Sequence, residues 1–307
     1  MSKTSVPQLI EYMDVVHLNE RFKKDFIFSN KAEDREPLVD DILTYLLSEK
    51  KMDMRFLELS FDEKRKMLDG LLTVREVRYT SEAFHQKVDR LLQWESAERE
   101  IVDISEIASL DNIFGICSLL NPSKIFLWKG DITCLRVDAI VNAANSHLIG
   151  CFIPFHNCID NAIHSKSGTR LREDCRKLIE LQGAPENLGT AKITRAYNLP
   201  SKYVLHTVGP TVKDGKVTTR VKSDLVNCYR SCLELASRVE DIKSIAFCSI
   251  STGQYRFPIE IASKFAVREV DIWLKKGGGH VEQVVFNVFS DHDYTVYADA
   301  IKTYQSC

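Results

Sequence analysis

Ala139-Ile140-Val141-Asn142-Ala143-Ala144-Asn145 begins as an apolar run and ends in a polar loop. Its reading decides the fold, because the same pattern recurs along the rest of the chain. Runs at 124–128, 139–142, 191–196, 203–207, 244–249 and 284–289 are rich in Val, Ile, Phe and Tyr and have strand lengths. Helical periods lie between them, at 162–181, 223–238 and 258–275. The last opens on Pro258 and stops at Gly277-Gly278-Gly279, where glycine supplies left-handed backbone. Such alternation predicts an α/β sheet flanked by helices, with its ligand site at the carboxyl ends of the strands.

Working toward the N-terminus, the composition changes. All nine cysteines lie at or beyond Cys117, and eleven of thirteen glycines and six of eight prolines lie beyond residue 120. Residues 1–115 carry 17 Lys+Arg against 24 Asp+Glu, so the remainder is mildly basic within a chain of net charge -2. The shift predicts two domains, a helical extension at 1–118 and an α/β domain at 119–307. Within the extension, 37–47 sets Leu38, Ile42, Tyr45 and Leu46 on one helical face, and Ser60 with Glu63 forms a capping box ahead of Met67, Leu68, Leu71 and Leu72. Thr80 or Ser81 caps a third helix carrying Phe84, Val88, Leu91 and Leu92. No chemistry is legible there.

The near-neutral charge gives no reason to expect nucleic-acid or membrane binding. With no apolar run long enough to span a bilayer and no signal or transit segment, a cytoplasmic protein is expected, whose cysteines are thiols or ligands rather than disulfides.

The densest chemistry lies in 150–164, where Cys151, His156, Cys158 and Asp160 crowd together. Two thiolates and an imidazole suit Zn²⁺, and three protein ligands leave a position for water or substrate. A second loop, Ser251-Thr252-Gly253-Gln254-Tyr255, leads into a helix N-terminus, where backbone N–H groups and the helix dipole favour an anion. It lacks the Lys-Ser/Thr ending of a Walker loop, which argues against ATPase chemistry.

Gly130-Asp131-Ile132, Val141-Asn142-Ala143-Ala144-Asn145 and Ser251-Thr252-Gly253 with Tyr255, in that order, resemble the hallmark motifs of the macrodomain family of ADP-ribose-binding proteins, over roughly residues 120–300. Cys151, His156 and Cys158 ahead of Asp160-Asn161-Ala162-Ile163-His164 are similar to its zinc-dependent protein-ADP-ribose hydrolases. The resemblance implies a three-layer α/β/α fold with a mixed central sheet. It implies that Asp131 accepts from the adenine amino group, with Ile132 offering backbone contact. Ser251, Thr252, Gly253 and Gln254 would wrap the pyrophosphate, and Tyr255, Asn145 and Ile159 would attend the distal ribose. One Zn²⁺ on Cys151, His156 and Cys158 would sit beside that ribose, with Asp160 and Asn145 catalytic. The implied partner is a mono-ADP-ribosylated protein.

Each residue also has a plainer use. Asp131 can cap a turn, Asn142 and Asn145 can be loop-stabilising Asx residues, and Cys151 and Cys158 can be small buried groups. Two functions therefore stand side by side: zinc-dependent removal of mono-ADP-ribose from protein side chains, and a reader that binds ADP-ribose unchanged, with zinc only bracing the loop. A third is hydrolysis of a free ADP-ribose derivative at the same site.

Overall fold

The computed structural model describes residues 7–24, 35–52, 58–78, 80–115 and 118–305; Cys117, the first of the cysteines, lies outside them. The described helices are α1 Leu9–Tyr12, α2 Arg35–Lys50, α3 Phe61–Val74, α4 Glu82–Ala97, α5 Leu110–Phe114, α6 Ile159–Ser167, α7 Thr169–Gln182, α8 Thr219–Ala236, α9 Ile259–Lys275 and α10 Asp291–Lys302. The strands are β1 Val102–Asp103, β2 Ile125–Lys129, β3 Leu135–Arg136, β4 Ala139–Ala143, β5 Ala191–Arg195, β6 Tyr203–Thr207, β7 Ser244–Phe247 and β8 Gln283–Val288. β1 and β3 form a short parallel pair, and the other six make one sheet in the order β2-β8-β7-β4-β6-β5. Only β5 runs antiparallel to its neighbour, so the sheet is mixed, as expected.

The order of crossovers places the site. After β4 the chain passes through α6 and α7 toward the β5 edge; after β7 it passes through α9 toward the β8–β2 edge. Right-handed crossovers in opposite directions put these helices on opposite faces, giving three layers. They also leave a crevice beyond the carboxyl ends of β4 and β7, which are neighbours.

Two helical expectations need correction. The periodicity predicts one helix over 162–181, but the chain breaks at Gly168, which holds φ 98° between α6 and α7. A Cβ there would meet Asn198 Nδ2 and Leu92 Cδ1, each at 3.0 Å. Asn198 Nδ2 donates to Ser167 O at 2.9 Å and to Asp89 Oδ1 at 2.7 Å, so a tertiary anchor overrides the helical period. Helix α10 has no counterpart in the sequence reading; Ser290 caps it, accepting from Asp293 N at 3.1 Å.

In the N-terminal region, α2, α3 and α4 pack around their own cluster of Leu38, Val39, Ile42, Leu43, Leu46, Leu47, Leu68, Phe84, Val88, Leu91 and Leu92. The Ser60–Glu63 capping box is present, and Ser81 rather than Thr80 caps α4, accepting from Phe84 N at 3.3 Å. Thr80 instead accepts from Arg75 Nη1 at 2.9 Å. Polar contacts join α4 to the α/β unit: Arg170 Nε donates to Asp89 Oδ2 at 2.7 Å, and Gln93 Nε2 to Asn198 Oδ1 at 2.8 Å. The segment around α1 belongs to the larger core, where Tyr12, Val16 and Leu18 are buried and the Tyr12 hydroxyl accepts from Ile193 N at 3.2 Å.

Candidate functional site

Asn142, the last residue but one of β4, is fully buried. Its Nδ2 donates to Asp160 Oδ1 at 2.8 Å and lies 3.2 Å from His206 Nδ1. Asn145 Nδ2 donates to the second Asp160 oxygen at 3.2 Å and to Gly150 O at 3.0 Å, tying the loop to the first turn of α6. Burial pushes the Asp160 carboxyl up to about 6, against the pull of the Asn142 hydrogen bond, the Arg172 charge and Asn145. A carboxylate in the first turn of a helix is also favoured by the exposed N–H groups there.

The metal-ligand candidates converge one step further out. The donor atoms of Cys151, His156 and Cys158 all lie within 4.8 Å of one another, with Cys151 Sγ 3.4 Å from His156 Nδ1. Tetrahedral zinc with ordinary Zn–S and Zn–N bonds sets sulfur and nitrogen about 3.6 Å apart, so the donors already stand near the right spacing. Each sulfur accepts a backbone N–H, Cys151 from Ile153 at 3.5 Å and Cys158 from Asn161 at 3.4 Å, as thiolates require. Burial and the neighbouring Cys151 and Asp160 charges push the Cys158 thiol up to about 12. A divalent cation reverses that balance, so the donor set fits Zn²⁺.

The loop after β7 faces this group. Burial raises the Tyr255 hydroxyl, and the charges of Asp160 and Cys158 raise it further. Ser251 holds φ 66°, with Phe257 N donating to its carbonyl at 2.9 Å, and its buried Oγ has no hydrogen-bond partner among the described residues. Thr252 is half-buried, while Gly253 and Gln254 are exposed at the rim ahead of α9. Gly209, after β6, lies so close that a Cβ would meet Ser251 Oγ at 2.1 Å, so only glycine fits beneath this loop.

Asp131 stands at the other end of the sheet edge, after β2. It caps the turn Ile132–Cys134, its Oδ1 accepting from Thr133 N at 2.9 Å and Thr133 Oγ1 at 2.7 Å. Ile132 is buried in the core, and Ile159 packs half-buried against it. Three inter-strand steps separate β2 from β4, roughly 14 Å. Asp131 and the metal-ligand candidates therefore lie well apart along the same edge of the sheet.

The family model for the Macro domain matches residues 141–266. The chain is 40% identical over 248 residues to the protein-ADP-ribose hydrolase of Staphylococcus aureus (strain MRSA252), covering 81% of this chain and 88% of that one. The chain belongs to the macrodomain family. A protein-ADP-ribose hydrolase of Treponema medium is 44% identical over 236 residues, covering 77% of this macrodomain's chain and 87% of its own. Among solved structures, a Trypanosoma brucei macrodomain in complex with ADP-ribose superposes with a TM-score of 0.58 at 28% identity, covering 80% of this chain and 97% of that one.

Parts of the macrodomain's site were not legible from sequence. Behind Asp160, the donor atoms of His164, Cys175 and His206 lie fully buried within 4.8 Å of one another, although Cys175 has no companion in the linear sequence. His206 Nε2 lies 2.9 Å from Thr194 Oγ1 and 3.6 Å from Cys175 Sγ, and burial pulls its imidazole down to about 3. Burial keeps both imidazoles low, and His164 Nε2 lies 3.5 Å from Asp160 Oδ1. Arg172, on α7, stacks on Phe152 of the loop that carries Cys151, His156 and Cys158, at 4.7 Å. It also donates to Thr73 O at 2.9 Å and Leu72 O at 3.1 Å, closing the last turn of α3. Phe155 of the same loop lies under Lys66, at 5.5 Å, so the helical region braces this loop from outside.

Proposed function

We propose that this chain is a zinc-dependent hydrolase that removes mono-ADP-ribose from modified protein side chains, with residues 1–118 a helical extension to the catalytic residues 119–307. The observation that carries the reading is the convergence of Cys151, His156 and Cys158 beside Asp160 and Asn145, at the switch point of the mixed sheet. The hydrolase names of the Staphylococcus aureus and Treponema medium relatives support it, as does the ADP-ribose bound by the Trypanosoma brucei macrodomain.

In this reading the roughly 14 Å between Asp131 and the β4 loop accommodates an extended dinucleotide-like ligand. Asp131 accepts from the adenine amino group beside the Ile132 backbone. Ser251, Thr252, Gly253 and Gln254 meet the pyrophosphate with main-chain donors ahead of α9, and the unpartnered Ser251 Oγ gains an acceptor. Tyr255 and Ile159 flank the distal ribose, and Asn145 orients it. Hydrolysis breaks the bond from the anomeric carbon to the protein side chain and forms one to the oxygen of water. Water loses one proton and the leaving side chain gains one. Asp160, held by Asn142 and Asn145, takes or orients that proton, and its charge stabilises the oxocarbenium-like transition state. Bound by Cys151, His156 and Cys158, Zn²⁺ would supply Lewis acidity toward water or a ribose hydroxyl.

The test is release of free ADP-ribose from mono-ADP-ribosylated protein by the purified chain, before and after chelation and zinc restoration. Release is expected to vanish and return with zinc. Tight ADP-ribose binding by the zinc-loaded chain without release from any linkage would instead identify a reader.

A further inference from the structure

The helical region also reaches the cleft at the end opposite the metal donors. Arg99 lies two residues beyond α4, and its Nη2 donates to Asp131 Oδ2 at 2.7 Å and to Thr133 Oγ1 at 2.8 Å. Its Nη1 reaches Thr133 O at 3.5 Å. The guanidinium is mostly covered, at 22% exposure, whereas Asp131 remains 44% exposed to an incoming ligand. Resting on the reading that Asp131 receives the adenine amino group, we propose that Arg99 is a positioning residue for base recognition, so that the N-terminal helical region sets the specificity of the cleft.

The argument is a count of lone pairs. A carboxylate offers about four acceptor positions. Thr133 N and Thr133 Oγ1 take those of Oδ1, and Arg99 takes one on Oδ2. A single position remains, on Oδ2, and its direction is fixed because the planar guanidinium bridges the carboxylate and the Thr133 hydroxyl. A carboxylate is an acceptor with no proton to donate. Adenine, whose exocyclic group is a donor, fits that position. Hypoxanthine, which places a carbonyl oxygen there, meets a lone pair with a lone pair. Without Arg99 the Oδ2 position loses both its direction and its balancing charge, and the preference between the two bases declines.

The test measures binding of ADP-ribose and inosine diphosphate ribose to the full chain by calorimetry, for wild type, Arg99→Met, Arg99→Lys, Asp131→Ala and the Arg99→Met/Asp131→Ala double variant. Thermal unfolding of each variant verifies the fold. Arg99→Met is expected to weaken ADP-ribose binding about tenfold, the scale of one charge-assisted hydrogen bond, and to lower the preference for adenine by a similar factor. Lysine, which keeps the charge but not the fork, restores part of both. The double variant is expected to bind no more weakly than Asp131→Ala alone. Wild-type affinity and base preference in Arg99→Met, with Asp131→Ala weakened, would overturn the role of Arg99 and leave the adenine assignment standing. So would an Arg99→Met loss that is equal for both bases and persists in the Asp131→Ala background. Wild-type binding by Asp131→Ala would remove the adenine assignment and this proposal with it.

Discussion

Replacing Gly150 by alanine tests whether the backbone before Cys151 positions the proposed metal ligands. Gly150 holds φ 84°, and a Cβ there would lie 2.8 Å from His164 Cγ and 3.1 Å from its Cδ2 and Nδ1. His164 is only 3% exposed on α6, with its Nε2 3.5 Å from Asp160 Oδ1. Left-handed backbone costs alanine about 1–2 kcal/mol and overpacking of this kind about 1–3 kcal/mol, so holding the native geometry costs roughly 2–5 kcal/mol. The alternative is for the loop to shift by about 0.6 Å, the shortfall from ordinary van der Waals contact. That shift carries Cys151 away from His156 and Cys158 and breaks the bond from Asn145 to Gly150 O. Gly183→Ala is the control, because Gly183 has φ 69° with nothing within 4 Å of its Cβ position, leaving only the backbone cost. Zinc competition against a chromophoric chelator and urea unfolding, run on both variants, separate the two contributions. Gly150→Ala is expected to lose zinc affinity by an order of magnitude or more, or at least about 2 kcal/mol of stability, while Gly183→Ala loses about 1 kcal/mol and no zinc affinity. Equal behaviour of the two variants would refute the steric argument.

Further outcomes follow from the same geometry. Cys158→Ala is expected to reduce ADP-ribose release by orders of magnitude while a good part of ADP-ribose binding survives; parallel loss of both in matched assays would mean that the metal only organises the loop. His206 is neutral in the folded protein, with its imidazole pulled down to about 3, whereas the unfolded chain takes up its proton below about 6.5. Stability from this group is therefore full above 6.5 and is lost as pH falls, by about 2 kcal/mol at pH 5. Urea unfolding at pH 7 and pH 5 should show a smaller acid loss in His206→Gln than in wild type, and an identical loss would contradict the assignment. Lys192 and Glu186 form a buried pair at 2.8 Å, with side chains 3% and 0% exposed. Lys192→Met should cost about 3–5 kcal/mol by leaving the carboxylate unpaired, and the Lys192→Met/Glu186→Leu double variant should recover much of that loss in the same unfolding assay.

What sequence reveals here divides by range. Cys151, His156, Cys158 and Asp160 share one loop and one helix start, so their proximity is legible from spacing alone. The strands are legible because 139–142 and Tyr203–Thr207 are continuous buried runs, as strands covered on both faces must be. Arg99 meets Asp131 across 32 residues, and Arg172 meets the end of α3 across about a hundred. No local period encodes such contacts, and each arginine reads as a solvated charge until the fold brings its acceptors. Gly168 failed for the same reason: one glycine within an amphipathic pattern reads as tolerated, and only Asn198 and Leu92, far away in sequence, forbid a side chain there. Cys175 and His206 are joined by the packing of α7 on the sheet.

The contacts of Arg172 make the last turn of α3 and the loop of Cys151 members of one cooperative unit. The guanidinium satisfies carbonyls that a helix end otherwise leaves to water, while its other face lies on Phe152, next to Cys151. Any opening that frees one of these partners exposes the other. A cation held by Cys151, His156 and Cys158 would therefore slow amide hydrogen exchange not only in its own loop but also near Leu72 and Thr73, in a helix that supplies no ligand to it.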